Sequence, residues 1–422
     1  MKKKTPERLK KIKKKIKKKI KKIKRRETNN FFIFKSNNIF KIVIILILIS
    51  IIFNANIIHV RLYSKNGIHN ETIIESNEYK SFNEIKNKLT DPTSVKILKD
   101  IHIIKHLYSN EINYHKKNKN IIHVTYGINN DTNYKYIVLV SMYSLLSNCN
   151  KNKSFIIIHL LCTPDINETI VEMFKSLVRK FPYNTEIILY NMGNHFSNRK
   201  NFRYSVATYY RVLCPFFIDS DRIIHLDGDT LVYQDLKEMY NLEFDNNYIL
   251  GMYDFLSYGV DYLGLKSNIY INAGIILLNL EKIRKDNKSL ELIDMVNSKV
   301  ELRNVDQSLF NYLFYPKIGR LPSKYAIFNF FDKSDIEVYL KNLRTKVPIE
   351  EIEEAIKNPT VVHNTLCYPK LWSIDAAYQT MYTNCGERHN CSCQRDFNLW
   401  HSFARQTDYY DEIIKFTGVK KL

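Results

Sequence analysis

From residue 119 onward, short apolar runs alternate with longer mixed stretches. Ile121-Ile122-His123-Val124-Thr125 predicts a strand, and the apolar positions from Ile137 to Leu146 predict a helix. Phe155 to Leu161 is the kind of apolar run that a strand buried on both faces shows. Asn167 to Phe181 predicts a helix, because Ile170, Val171, Phe174, Leu177 and Val178 recur at helical period. Glu186 to Tyr190 predicts a third strand, Ala207 to Phe217 a helix, and Ile223 to Leu226 a fourth strand. Strand alternating with helix implies an α/β fold with a mostly parallel, Rossmann-like sheet flanked by helices. Near the end, Phe397 to Ile414 predicts an amphipathic helix with Leu399, Phe403 and Ala404 facing inward, as a cover to the domain.

Upstream the pattern is different. Ile39 to Phe53 is almost continuously apolar and runs on, past Asn54 and Asn56, to Ile57-Ile58. About 20 helical residues span a bilayer, so residues 39–58 are expected to be a signal anchor. The net charge of +21 suggests nucleic acid until its position is noted. Residues 1–30 hold 17 Lys or Arg against two Glu, so +15 lies in the leader and the other 392 residues carry only +6. A basic leader before an apolar span puts residues 1–38 in the cytosol and the remainder across the membrane. Nucleic acid is not expected as a partner. Residues 59–118, rich in Lys, Asn and Ser, read as a stem, and residues 119–422 as the globular domain that it carries. The expected location is a single-pass type II membrane protein of the Golgi or ER with a lumenal domain. N-x-S/T triplets at Asn70, Asn130, Asn152, Asn167, Asn287 and Asn390, and seven cysteines all beyond the anchor, suit that face. Cys385, Cys391 and Cys393 cluster as for a local disulfide, and Cys214 reads as a buried free thiol.

Candidate chemistry concentrates in Arg222-Ile-Ile-His-Leu-Asp-Gly-Asp-Thr-Leu-Val-Tyr-Gln-Asp-Leu236, where an apolar run meets Asp227 and Asp229. Ligands of parallel sheets bind beyond the carboxyl ends of the strands, where this pair falls. In extended chain, residues two apart point to one side, so both carboxylates can converge with Gly228 leaving room. Convergent carboxylates are stable around a divalent cation, and an added imidazole favours Mn²⁺. There is no G-x-G-x-x-G and no Walker loop. Haloacid-dehalogenase-type phosphatases share the Asp-x-Asp after a strand. They want Thr or Val two residues past the second Asp, where this chain has Leu231.

The blocks around the pair resemble glycosyltransferase family 8, the retaining group that includes glycogenin and bacterial lipopolysaccharide galactosyl- and glucosyltransferases. They are Thr208-Tyr-Tyr-Arg211, Leu226-Asp-Gly-Asp-Thr230, Tyr270-Ile-Asn-Ala-Gly274, Val305-Asp-Gln-Ser308, Val361-Val-His-Asn364 and Pro369-Lys-Leu-Trp372, in that order. The resemblance runs from Ile121 to about Trp372 and implies a GT-A-type nucleotide-diphospho-sugar transferase fold. It implies transfer of a hexose, galactose or glucose, from a UDP-sugar to a glycan or protein acceptor. By the same resemblance Asp227, Asp229 and His363 bind Mn²⁺ or another divalent cation that also holds the diphosphate. Lys370 would neutralise charge on the departing UDP, and Arg211 would help hold nucleotide or sugar. Asn272 and Asp254 would contact the sugar. Gln307 would face it as an amide too weak to be a nucleophile, and Asp306 would orient the sugar or Gln307. Retention would then come from attack on the leaving-group face, with a UDP oxygen taking the acceptor's proton. The closing segment from His363 to Lys370 is one residue longer than the family pattern and lacks its glycine, which leaves the reach of Lys370 open. Asn129 and Asp131 are two candidates for a nucleoside contact. The alternative of another class is an inactive, lectin-like or scaffold member of the family at the secretory membrane.

Overall fold

The computed structural model describes residues 92–109, 119–130, 133–199, 205–254, 263–264, 269–298, 300–330, 333–343, 347–365, 370–372 and 392–417. The expected anchor at 39–58, the basic tail and the Cys385–Cys393 cluster lie outside them. Among the described residues, no helix is long and apolar enough to cross a membrane.

The first half follows the alternation in the sequence. Helix α1 (Pro92–Lys99) and strand β1 (His102–Leu107) lead into β2 (Asn120–Ile128), α2 (Tyr134–Asn148), β3 (Ser154–Cys162), α3 (Glu168–Lys180) and β4 (Thr185–Asn191). The Asn167 side chain caps α3 by accepting from the Ile170 amide at 3.2 Å. A 3₁₀ segment (Val206–Leu213) and one α turn, α4 (Cys214–Phe217), replace the single helix expected over 207–217. Pro215 is the reason: it offers no N–H and would crowd the carbonyl four residues back, so an α-helix cannot run through it. Strands β5 (Arg222–Leu226) and β6 (Thr230–Val232), helix α5 (Lys237–Tyr240), and strands β7 (Ile249–Tyr253) and β8 (Ile271–Asn279) follow. Then come α6 (Leu280–Lys285), α7 (Lys288–Asn297), α8 (Val305–Phe314), β9 (Ile318–Arg320), β10 (Ile327–Phe328), α9 (Lys333–Asn342), α10 (Ile349–Lys357), β11 (Val361–His363), α11 (Ser392–Gln406) and α12 (Tyr410–Thr417).

Eight strands form the main sheet in the order β1-β4-β3-β2-β5-β8-β7-β9. Its centre, β4-β3-β2-β5, is parallel, and β8 turns back antiparallel on β5. Alternate residues of the strands feed two cores. Ile156, Ile158 and Leu160 of β3 meet α2 and α3 on one face through Leu139, Phe174 and Leu177. Phe155, Ile157 and Leu161 meet Val212, Phe217, Ile283 and Leu309 on the other. This two-sided burial is why β3 reads as an unbroken apolar run.

The stretch 92–107, read from composition as stem, belongs to the folded unit. Ile97, Leu98 and Ile101 are buried, and β1 pairs antiparallel with β4. Its short run His-Ile-Ile-Lys-His-Leu is too polar to stand out, and its partner residues in β4 lie 80 to 89 positions downstream. The C-terminal helix also forms as expected, but it breaks near Thr407 into α11 and α12. Phe403 and Ala404 are buried and Leu399 partly so, and Trp400 is the largest side chain that α11 buries. Cys214 is a buried free thiol, as are Cys149 and Cys162.

Candidate active site

Strand β5 ends at Leu226, and the chain then turns: the Thr230 amide donates to the Asp227 carbonyl at 3.2 Å. Asp227 and Asp229 therefore converge across a turn, not along one extended strand. The turn is close-packed. The Gly228 amide donates to Tyr134 Oη at 2.7 Å, and a Cβ on Gly228 would sit 2.7–2.8 Å from Val138 and the Tyr134 ring. Thr230 Oγ1 donates to the Asp227 carbonyl at 2.8 Å and meets Ser141 Oγ at 2.9 Å, tying the turn to α2.

After the turn, β6 leaves the main sheet and joins a second, three-stranded sheet, β10-β11-β6. Its antiparallel register with β11 sets His363 opposite Thr230. The Asn364 amide donates to the Asp229 carbonyl at 2.8 Å. Residues 134 positions apart are thus brought together, with His363 Nε2 3.1 Å from Asp229 Oδ1 and 4.0 Å from Asp227 Oδ2. The imidazole stacks on Phe328 and lies over Gly274, where a Cβ would come within 2.2 Å of its Cε1. Only a glycine admits the ring there. Gly274 is placed by β8, whose antiparallel register with β5 runs Leu226 opposite Ile275, and its carbonyl accepts from the Asp227 amide at 2.8 Å.

Two cations border the pair. Arg211 is 4% exposed. Its Nη2 donates to Asp227 Oδ1 at 2.9 Å, its Nη1 to the Ala273 carbonyl at 2.6 Å and its Nε to the Thr208 carbonyl at 3.1 Å. Lys370 Nζ donates to Asp229 Oδ2 at 3.2 Å and to the Asn364 carbonyl at 2.7 Å, so the longer closing segment still delivers its lysine to the pair. α11 braces that segment: His401 Nε2 lies 3.0 Å from the Leu371 carbonyl, and Trp400 packs against Trp372.

The electrostatics follow from these contacts. Burial by itself raises the Asp227 pKa, but Arg211 and then His225 more than offset it and hold the carboxyl well below its usual range. Burial acts alike on Asp229, where His363 and Lys370 bring the value down to about 2. Both are ionised at neutral pH. Burial, reinforced by the charge of Arg211, pushes His225 down to about 4, so its ring is neutral. Tyr134 is pushed up by burial and by the two nearby carboxylates.

A second group lies just beyond Ala273. Asp254 is buried, and its Oδ2 accepts from Asn272 Nδ2 at 3.0 Å and from Gln307 Nε2 at 3.0 Å. Gln307 Oε1 accepts from the Ala273 amide at 3.2 Å, and Asn272 Oδ1 from the Gly274 amide at 2.9 Å. The Ala273 backbone thus joins the groups, its N–H held by Gln307 and its carbonyl by Arg211. The Asp306 carboxylate accepts from its own backbone N–H and from that of Gln307. It lies beneath Arg211, its Oδ2 3.1 Å from Nε and its residue 1% exposed. Burial raises its pKa to about 7, Asp227 adds to the rise and Arg211 opposes it. Val305, at φ +41°, turns the chain into that position, a left-handed conformation that costs a valine about 1–3 kcal/mol. Asn129 is buried near the strand end, and Asp131 lies outside the described residues.

Three contributors were not singled out from sequence as site residues: Tyr134, His225 and Gly274. His225 was read only as part of a strand, and Tyr134 lies just before the helix expected from Ile137. Their contacts depend on which strand ends meet, which periodicity does not reveal.

Among the described residues, one group of acidic and histidine side chains is spaced to hold a metal ion: Asp227, Asp229 and His363, with ligand atoms within 4.8 Å of one another. The family model for glycosyl transferase family 8 matches residues 123–373, which contain every residue of this site. The chain belongs to that family. Membership in glycosyl transferase family 8 removes the phosphatase reading of Asp-x-Asp. Lipopolysaccharide 1,2-glucosyltransferase of Escherichia coli is 26% identical over 239 residues, 52% of this chain and 67% of the relative. Glycosyltransferase GlyB of Streptococcus pneumoniae is 27% identical over 170 residues, 40% of this chain and 39% of the relative. The chain thus spans about two fifths of the length of GlyB. The apo structure of the bifunctional glycosyltransferase WbbM superposes with a TM-score of 0.55 at 18% identity, covering 71% of this chain and 52% of that one. That likeness shows the fold, a GT-A-type α/β architecture with a mostly parallel sheet.

Proposed function

We propose that this member of glycosyl transferase family 8 is a retaining hexosyltransferase. It moves glucose or galactose from a UDP-sugar to a hydroxyl of a glycan or protein. The observation that carries the reading is the convergence of Asp227, Asp229 and His363 at the end of β5, with Lys370 at the same edge. The names of two relatives support a hexose: the Escherichia coli glucosyltransferase above and a lipopolysaccharide 1,3-galactosyltransferase of Salmonella typhimurium, 28% identical over 220 residues.

The donor set fits a divalent cation. Two ionised carboxylates and one imidazole in one cluster match the ligand preference of Mn²⁺. When bound, such a cation would neutralise charge on the diphosphate as it departs. The side chains themselves do the positioning. Lys370 adds positive charge where that diphosphate would lie, and Arg211 holds Asp227 in place. Asp254, clamped by the Asn272 and Gln307 amides, presents a fixed polar edge to the sugar. Both polar atoms of Gln307 are engaged, and an amide is a poor nucleophile, so a front-face path is favoured. In it the bond from the anomeric carbon to the UDP oxygen breaks as the acceptor oxygen bonds to that carbon on the same face. The acceptor's proton passes to the departing oxygen.

By sequence, residues 39–58 anchor the chain and the catalytic domain lies in the Golgi or ER lumen. The test is a donor screen of the full-length protein in detergent with Mn²⁺, scoring UDP release. Release from a UDP-hexose that EDTA abolishes is expected. No release from any UDP-sugar, together with no Mn²⁺-dependent stabilisation by UDP, would refute the reading.

A further inference from the structure

We propose that His225 is a positioning residue for the cation site: it donates its Nε2–H to Asp227 and fixes which carboxylate oxygen faces the cation. The inference rests on the reading of Asp227, Asp229 and His363 as a cation site.

The two oxygens of Asp227 have unequal surroundings. Oδ1 receives two donors, Arg211 Nη2 at 2.9 Å and His225 Nε2 at 3.1 Å. Oδ2 is the oxygen turned to His363, 4.0 Å from its Nε2. One edge of the carboxylate is therefore anchored to the protein and the other is left for the cluster. A single donor would not achieve this. The terminal torsion of an aspartate is broad and nearly two-fold, so a carboxylate held at one point can still rotate. Two donors from separate elements, the 3₁₀ segment and β5, remove that freedom.

The two donors are built differently. Arg211 reaches Asp227 from a guanidinium whose other nitrogens are spent on the Ala273 and Thr208 carbonyls. His225 lies within β5, in register with Thr125 of β2 and Ile276 of β8, and is 1% exposed. Its imidazole comes up from the strand and has no room to follow a moving carboxylate. Period-two alternation is what places it there: residues 225 and 227 share a side of the chain as β5 ends.

The tautomer is set by the same geometry. His225 Nδ1 is buried and has no hydrogen-bond partner. With the proton on Nε2, that orphan is a bare acceptor, which buried structure tolerates better than an unpaired N–H. The opposite tautomer would bury an unpaired N–H and set the Nε2 lone pair against a carboxylate. The proton is on Nε2, aimed at Asp227.

Donors behind a ligating group commonly change metal affinity 10–100-fold when removed. The experiment measures Mn²⁺ affinity of the full-length protein by electron paramagnetic resonance of the free ion, with thermal unfolding of each variant. His225→Leu removes the donor, whereas the side-chain amide of His225→Gln can reach the Nε2 position. His225→Leu is expected to weaken Mn²⁺ binding about 10–100-fold and His225→Gln by no more than about threefold. Should His225→Leu not melt cooperatively, His225→Asn takes its place, because its shorter amide reaches only the Nδ1 position. Unchanged affinity in a folded donor-less variant overturns the proposal, as does an equal loss in His225→Gln. A wild-type protein that binds no Mn²⁺ overturns the cation reading itself, and this inference with it.

Discussion

Gly274→Ala isolates the one contact on which the site depends most closely. The added Cβ would lie 2.2 Å from His363 Cε1, 2.7 Å from Nε2 and 2.8 Å from Nδ1. Carbon atoms pack best at about 3.5–4 Å, so the imidazole must retreat by roughly 1.5 Å. It has little room to do so, because the residue is 4% exposed and its ring stacks on Phe328. Overpacking of this kind costs about 1–3 kcal/mol, and each kcal/mol lowers the melting temperature of a domain near this size by about 2–4 °C. Any retreat also carries Nε2 away from Asp229 Oδ1, now 3.1 Å distant. A misplacement of about 1 Å can cost about 100-fold in function, so a comparable loss of Mn²⁺ affinity is expected. The assay is a double-mutant cycle on melting temperature and Mn²⁺ binding, with His363→Ala as the second site. In the His363→Ala background the clash has no partner, and Gly274→Ala should then cost less than about 0.5 kcal/mol. An equal cost in both backgrounds, or unaltered Mn²⁺ binding by Gly274→Ala alone, refutes the reasoning.

Asp229→Asn should abolish Mn²⁺-dependent UDP release while the protein still unfolds cooperatively; Mn²⁺-dependent release by this variant would sink the metal assignment. Trp400→Ala should cost about 3–5 kcal/mol by urea unfolding, since the whole indole is buried; a loss under about 1 kcal/mol would mean that α11 is not part of the core. Burial holds His401 down to about 4, aided by Arg405 and opposed by the Leu371 carbonyl. A histidine with a lowered folded pKa contributes stability above its unfolded value of about 6.5, lost as pH falls through 4. His401→Gln should therefore lose less stability than wild type between those pH values, and parallel urea midpoints would exclude the effect. Asp306 has the opposite sign: its folded pKa of about 7 makes ionisation unfavourable as pH rises from about 4 to 7. Asp306→Asn should become more stable relative to wild type across that interval, and a constant difference would contradict it.

Local pattern read the centre of the fold well. β3, β4 and β5 carry apolar runs because each is buried on both faces, and α3 shows a clean stripe because only one face is. Pattern failed where the partner lay far off. β1 is legible only through its pairing with β4, and the expected helix over 207–217 gave way to a 3₁₀ segment and a single α turn because Pro215 interrupts the α hydrogen-bond ladder.

Sequence by itself determined the alternation of strand and helix, the carboxylate pair at a strand end, and the ordered blocks that carry the family. The family resemblance nominated His363 and Lys370, but the linear sequence could not bring them to Asp229. Tertiary structure alone decided that: the antiparallel register of β6 with β11, and the absent side chain of Gly274, let one imidazole reach the turn. It also decided that Asp306 lies beneath Arg211 and that His225 stands behind Asp227. Those outcomes depend on which atoms meet across strands and on what burial does to their charges, and a one-dimensional pattern holds neither quantity.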